Sequence, residues 1–203
     1  YIMNKILSLE KVSKVYNSTK VLSEISFKLE RNKTLGILGP NGCGKTTTMG
    51  IILGLIKPTS GKVLIDGIEI ETKRVNLLES LNFISPYVEL PKRFTVKQNL
   101  EVYCRLYDVK NFKAKIESLC EKLRLNEIIN KITGELSSGQ RNRVSLAKSI
   151  INDPAILLLD EPTASLDPET GHFVRSFLED YQKENGTSIP VSYTHLRAHE
   201  TDY

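Results

Sequence analysis

Gly39-Pro-Asn-Gly-Cys-Gly-Lys-Thr46 is the stretch that decides how this chain reads. It fits G-x-x-x-x-G-K-[ST], and its surroundings suit that pattern. Before it, Thr34-Leu-Gly-Ile-Leu38 is a compact apolar run; after it, an apolar-periodic helix is expected as far as Lys57-Pro58. Strand, loop and helix in that order open a βαβ unit with a parallel sheet. The glycines let the backbone wrap so that successive N–H groups converge on a phosphate, and the following helix N-terminus adds positive potential. Lys45 is then placed to reach β- and γ-phosphates and the Thr46 hydroxyl to ligate Mg²⁺. The competing reading, a flexible glycine turn, does not require this flanking order.

Upstream, Ile6–Val15 and Val21–Leu29 alternate apolar and polar residues, which predicts strands with one solvated face in an antiparallel β layer. Lys62-Val-Leu-Ile-Asp66 is a further small strand that turns at Gly67. From Pro86 to about Ile150 the periodicity becomes helical and no strand stands out. There Thr95 and Gln98 are spaced as a capping box, followed by a stripe of Val96, Leu100, Tyr103 and Tyr107. A buried strand returns at Ala155-Ile-Leu-Leu-Leu159. Asp167-Pro168 reads as a cap and first helical residue, Asn185-Gly186 as the stop, and a strand is expected from Thr187.

The chain has 203 residues, 40% hydrophobic and 26% charged, enough for one globular domain with a sizeable core. The longest apolar run, Met49 to Ile56, is too short to cross a bilayer, and no charged-then-apolar leader opens the chain, so neither a span nor an export signal is expected. Cys43, Cys104 and Cys120 lack metal-ligand or redox-pair spacing, which fits a reducing cytosol. A net charge of +4, spread along the chain, argues against a nucleic-acid partner.

Asp160 and Glu161 close the buried strand at its carboxyl end, the edge of a parallel sheet where ligands bind. A carboxylate there needs a metal, a basic partner or water, because burying it alone is costly. Asp160 suits a Mg²⁺ shell, and Glu161 suits orienting or deprotonating an attacking water. The plainer alternative is a strand that has ended, with both acids solvated.

Leu136-Ser-Ser-Gly-Gln140 precedes an amphipathic segment, and Ser137 and Gln140 alone are spaced as a capping box. The order of the phosphate loop, a helical insert, LSSGQ and then LLLDEPTASLDP resembles the ATP-binding cassette (ABC) ATPases, the nucleotide-binding subunits of ABC transporters, over about residues 4 to 189. The resemblance implies an α/β fold, a P-loop core of mostly parallel sheet flanked by helices, with an N-terminal antiparallel β layer and a helical subdomain. The expected division is a core of residues 1–85 and 151–189 and a helical subdomain of about 86–150. It implies ATP and Mg²⁺ as ligands, with Gly39, Asn41, Gly42, Cys43, Gly44, Lys45, Thr46 and Thr47 around the phosphates and Tyr16 stacked on adenine. Ser137, Gly139 and Gln140 match the signature that meets the γ-phosphate held by a second subunit, and Asp167 the acid that crosses the dimer interface, although a capping role explains Asp167 equally well. The implied activity is ATP hydrolysis, with Glu161 and Lys45 as the catalytic pair. The implied partners are a second ATP-binding subunit, homo- or heterodimeric, and separate transmembrane permease subunits, an exporter more than an importer, on the inner face of the plasma membrane. A ribosome- or DNA-associated ABC ATPase and a non-hydrolysing regulatory subunit are the alternatives.

Three departures from the family pattern stand out. Ser138 occupies a usual glycine position, where a positive φ would be strained. Pro86 stands at the position of the glutamine that touches Mg²⁺ and couples the site to the membrane subunit, with Tyr87, Val88 and Leu90 in the region expected to grip that subunit. The third is the ending. Pro190 is expected to interrupt a central strand by removing a ladder donor. Translated backwards, the residues that follow resemble a common transposase-based sequencing-library adapter, so 190–203 are expected to be a non-native tail. His195 and His199 are accordingly left out of the site; the alternative makes His195 the family's switch histidine, one position late. With a core strand missing, the chain is expected to bind ATP but to turn it over weakly and to be poorly stable.

Overall fold

A computed structural model describes residues 5–85, 89–164 and 166–193. Two sheets form its frame. In the first, β1 (Lys5–Tyr16) and β2 (Thr19–Glu30) make an antiparallel hairpin, closed by Asn17 and Ser18 at φ 42° and 70°. Positive φ at both turn residues matches the right-handed twist of the strands they join. β4 (Ser60–Ile65) and β5 (Ile68–Glu69) complete the order β2-β1-β4-β5. The second sheet is parallel, in the order β3 (Thr34–Leu38), β8 (Ile189–Tyr193), β7 (Ile156–Asp160), β6 (Leu81–Ile84).

β7 lies at the middle of the packing. Leu157 and Leu159 enter one hydrophobic cluster with α5 (Ser138–Ser149) and α6 (Pro168–Asn185), while Ile156 and Leu158 enter the other, with α1 (Lys45–Ile52) and the antiparallel layer. A strand covered on both faces has no polar side to show, which is why this stretch reads as an unbroken apolar run. α3 (Val96–Leu106) and α4 (Phe112–Lys122) cover the first cluster.

α1 ends at Ile52, ahead of the expected Lys57-Pro58, because Gly54 takes a left-handed turn at φ 64°. In α3 the Thr95–Gln98 capping box forms in both directions. Its buried stripe is Val96, Asn99, Leu100 and Cys104, with Tyr103 and Tyr107 packed at the edge. Asn99 is buried because its amide donates to Thr133 Oγ1 at 2.8 Å and to the carbonyls of Pro91 and Thr95. α2 (Arg74–Leu78) and β6 have no counterpart in the sequence reading. β6 is four residues long and carries Asn82 among its apolar positions, too brief a pattern to assert itself.

Pro190 does not interrupt the sheet as expected. It is buried inside β8, opposite Leu35 of β3. The cost of its missing N–H is local. Ile189 donates to Lys33 on the β3 side, and Ser188 to Ala155 on the β7 side, so alternation turns position 190 toward β7. The β7–β8 ladder has a gap there, between the Ile156–Ser188 bridge and the Leu159–Val191 pair. The central strand whose absence was expected to weaken the core is therefore in place.

Candidate functional site

The loop between β3 and α1 is shaped by two glycines at positive φ, Gly42 at 82° and Gly44 at 98°. A side chain at Gly44 would also collide with Leu22, its Cβ falling 2.5 Å from Cδ2. This close approach seats the loop against the β1–β2 hairpin. Gly39 is constrained from the other side, since a Cβ there would lie 2.5 Å from Cys43 Sγ. Lys45 opens α1 and is buried, its Nζ donating to the carbonyls of Gly39 at 2.7 Å and Pro40 at 3.1 Å. The ammonium is thus held inside the curl of the loop, with Thr46 exposed beside it.

A cleft of about 160 Å³ gathers Val21, Asn41, Gly42, Gly44, Lys45, Thr46, Thr47, Asp160 and Glu161. The phosphate loop and both acids of the β7 terminus therefore share one wall-to-wall space. Asp160 is buried and accepts a 2.5 Å hydrogen bond from Ser192 Oγ of the neighbouring strand. Glu161 has φ 48°, and its N–H donates to the Ser192 carbonyl at 3.2 Å. Left-handed backbone in a non-glycine residue costs energy and is concentrated at functional sites. Val21 and Ser192 are the contributions that sequence reasoning missed: Val21 lines the cleft from β2, and Ser192 supports Asp160 from β8.

Other expected residues lie elsewhere. Ser137 caps α5, its Oγ accepting from Gln140 N–H at 3.2 Å while Gln140 Oε1 accepts from Ser137 N–H at 3.0 Å. Ser138 begins the helix outside the positive-φ set, so the strain expected there does not arise. Gly139 packs under α6, where an added Cβ would come within 3.2 Å of Thr170 Oγ1. Asp167 caps α6 by accepting from Thr170 N–H at 2.9 Å, and that bond together with the Thr170 hydroxyl holds its carboxyl below the usual range. Tyr16 ends β1, half-exposed, with Lys14 Nζ 4.8 Å from its ring centroid. None of Tyr16, Ser137, Gly139, Gln140 or Asp167 lines the loop–carboxylate cleft. Pro86, Tyr87, Val88, His195 and His199 fall outside the described residues.

A family model described as ABC transporter matches residues 22–164. The chain belongs to the ABC transporter family of ATP-binding domains. Among relatives of this ABC domain, the lipoprotein-releasing system ATP-binding protein LolD of Rickettsia bellii is 37% identical, over 98% of this chain and 93% of that protein. The Nod factor export ATP-binding protein I of Rhizobium etli is 36% identical over 80% of this chain; the match spans about half (52%) of that relative's length. A dimeric ATP-binding cassette solved in a post-hydrolysis state with ADP and Pi superposes with a TM-score of 0.84 at 25% identity, covering 94% of this chain and 88% of that one. The shared fold is thus the α/β P-loop architecture with an added antiparallel sheet, and membership of the ABC family supports ATP binding.

Proposed function

We propose that this chain is the ATP-binding and ATP-hydrolysing subunit of a transporter and powers a separate membrane permease in the export direction. The observation that carries the reading is the single cleft that brings Lys45 and Thr46 of the phosphate loop to Asp160 and Glu161 at the carboxyl edge of the parallel sheet. The export direction rests on the names of the two relatives, one an exporter and one a releasing system.

In this reading the loop N–H groups and Lys45 hold the phosphates, and Glu161 orients the water that attacks the γ-phosphorus in line. Water and ATP give ADP and phosphate, with positioning and charge neutralisation supplying most of the catalysis. The donors around the cleft suit Mg²⁺. Thr46 offers a hydroxyl and Asp160 a carboxylate fixed by Ser192, hard oxygen ligands of the kind that bind Mg²⁺ jointly with substrate phosphates. When bound, Mg²⁺ would neutralise charge developing on the phosphate oxygens.

Ser137, Gly139 and Gln140 act in the same reading on ATP held by a second subunit, because they start a helix and do not line the chain's own cleft. Asp167 crosses to that subunit and Tyr16 stacks on adenine. The division into a core, 1–85 and 151–189, and a helical subdomain of about 86–150 is supported by α3, α4 and α5 falling inside that segment and, among the described residues, every strand outside it. Among the described residues no helix is long and apolar enough to cross a membrane; in this reading the chain attaches to the permease, as subunits of its family do, on the cytoplasmic face.

The test is phosphate release by the full chain, alone and with permease subunits in vesicles. The reading expects ATP hydrolysis that rises with the permease. Nucleotide binding without phosphate release in either setting would favour the regulatory alternative, and activity stimulated by ribosomes or DNA instead would move the chain out of transport.

A further inference from the structure

Lys148 is the one lysine whose ammonium contacts two aromatic rings among the described residues. Its Nζ lies 5.4 Å from the Phe83 ring centroid and 5.1 Å from that of Tyr103. The two rings belong to different elements, Phe83 to β6 and Tyr103 to α3, and Lys148 itself to α5. No salt bridge to Lys148 occurs among the described residues, and burial pushes its pKa below the ordinary lysine value. Holding a cation there costs desolvation, which the two ring faces offset. A methionine would fill the same space without that cost. The ammonium adds attraction toward a point shared by three elements.

The position of this box matters for α5. Ser138, Asn142 and Ser145 line a groove against Ile84, Ser85 and Glu161, and Lys148, one turn beyond Ser145, continues that stripe. At the groove end, Asn142 Nδ2 donates to the Pro162 carbonyl at 3.2 Å. At the other end, Asn152 exchanges contacts with Asn82 and the Glu79 carbonyl, both at 3.0 Å. Lys148 therefore sits at the far anchor of the seam between α5 and β6. Ser137 lies eleven residues away, about 16 Å along a helix, so a small tilt at the anchor displaces the capped end of α5.

We propose that Lys148 is a positioning residue for ATP turnover: held between Phe83 and Tyr103, it fixes the far end of α5 and thereby the direction in which Ser137 and Gly139 meet the second subunit's phosphates. The inference rests on the functional reading above. It predicts that Lys148 leaves the chain's own phosphate loop unaffected, because Lys148 does not line that cleft.

The experiment compares Lys148→Met and Lys148→Arg in the full chain, with ATP affinity, kcat and melting temperature measured together. Loss of a desolvated cation–π contact is expected to lower kcat about tenfold in the methionine variant, with ATP affinity unchanged and kcat restored by arginine. Equal turnover in wild type and Lys148→Met overturns the proposal, as does an arginine variant no better than methionine, or a fall in kcat matched by lost ATP affinity and a lower melting temperature. If Lys148→Met does not fold, Tyr103→Leu and Tyr103→Phe replace it. Turnover lost only with leucine supports the proposal, and equal turnover in both overturns it. ATP-driven dimerisation in a Glu161→Gln background separates this inference from the one beneath it: no dimer in that background alone defeats the functional reading, whereas a dimer lost only on adding Lys148→Met supports the positioning role.

Discussion

In the proposed mechanism Glu161 carries the heaviest chemical burden of any side chain in the cleft, and it stands in a left-handed backbone conformation just past a buried strand. Glutamine keeps its shape and cannot take a proton. Glu161→Gln is therefore expected to bind ATP as tightly as wild type and to release phosphate about 10² to 10⁴ times more slowly; turnover equal to wild type would remove Glu161 from its role. A second residue-level expectation concerns the thiols. Cys43 is exposed in the phosphate loop, whereas Cys104 and Cys120 are buried and burial pushes both thiols up. Iodoacetamide should label one cysteine in the native chain and three in the unfolded one, with ATP protecting Cys43; mass spectrometry reads both counts. Lys45, Thr46, Asp160 and Glu161 were legible in the sequence because each lies at a fixed offset from a strand end. Ser192 and Val21 were not, since the hydrogen bond of Ser192 to Asp160 spans 32 residues and depends on sheet register.

Helix termini were the elements that could be read most closely. The caps at Thr95, Ser137 and Asp167 and the stop at Gly186 all follow from short-range hydrogen bonding. What sequence alone could not supply was the pairing of β6 and the place of β8, which are decided by non-local ladders. Asp167 gives a pH test. Its folded pKa is depressed, so its contribution to stability is fully present above the unfolded carboxylate value and is lost as pH falls through the folded one. Asp167→Ala should melt below wild type at neutral pH, and thermal melts should show the gap closing in acid; a gap that widens in acid would reverse the sign. Pro190 gives a strand-level test. Leu157 donates to Ser188 and turns its carbonyl to the same side, toward a residue with no N–H. Pro190→Val returns that donor and is expected to stabilise by about 1 kcal/mol after the entropy lost with proline is subtracted. The urea midpoint should rise, and a fall would contradict the ladder described.

Across the whole molecule, Ser137, Gly139 and Gln140 at the capped start of α5 do not line the cleft of the phosphate loop and its carboxylates. In the proposed reading each is half of an anion site: one supplies a loop, a lysine and acids, the other a helix N-terminus. The order of motifs made both halves visible in the sequence, whereas their separation on one chain could be seen only in three dimensions. In that reading a second ATP-binding subunit faces the first with ATP between them, and in a homodimer that subunit is another copy of this chain. The most direct measurement is the mass of the Glu161→Gln chain by light scattering with saturating ATP and with ADP. The account predicts a change from a 22.9 kDa monomer to a dimer of twice that mass with ATP and no change with ADP. A chain that binds ATP yet stays at monomer mass would contradict it.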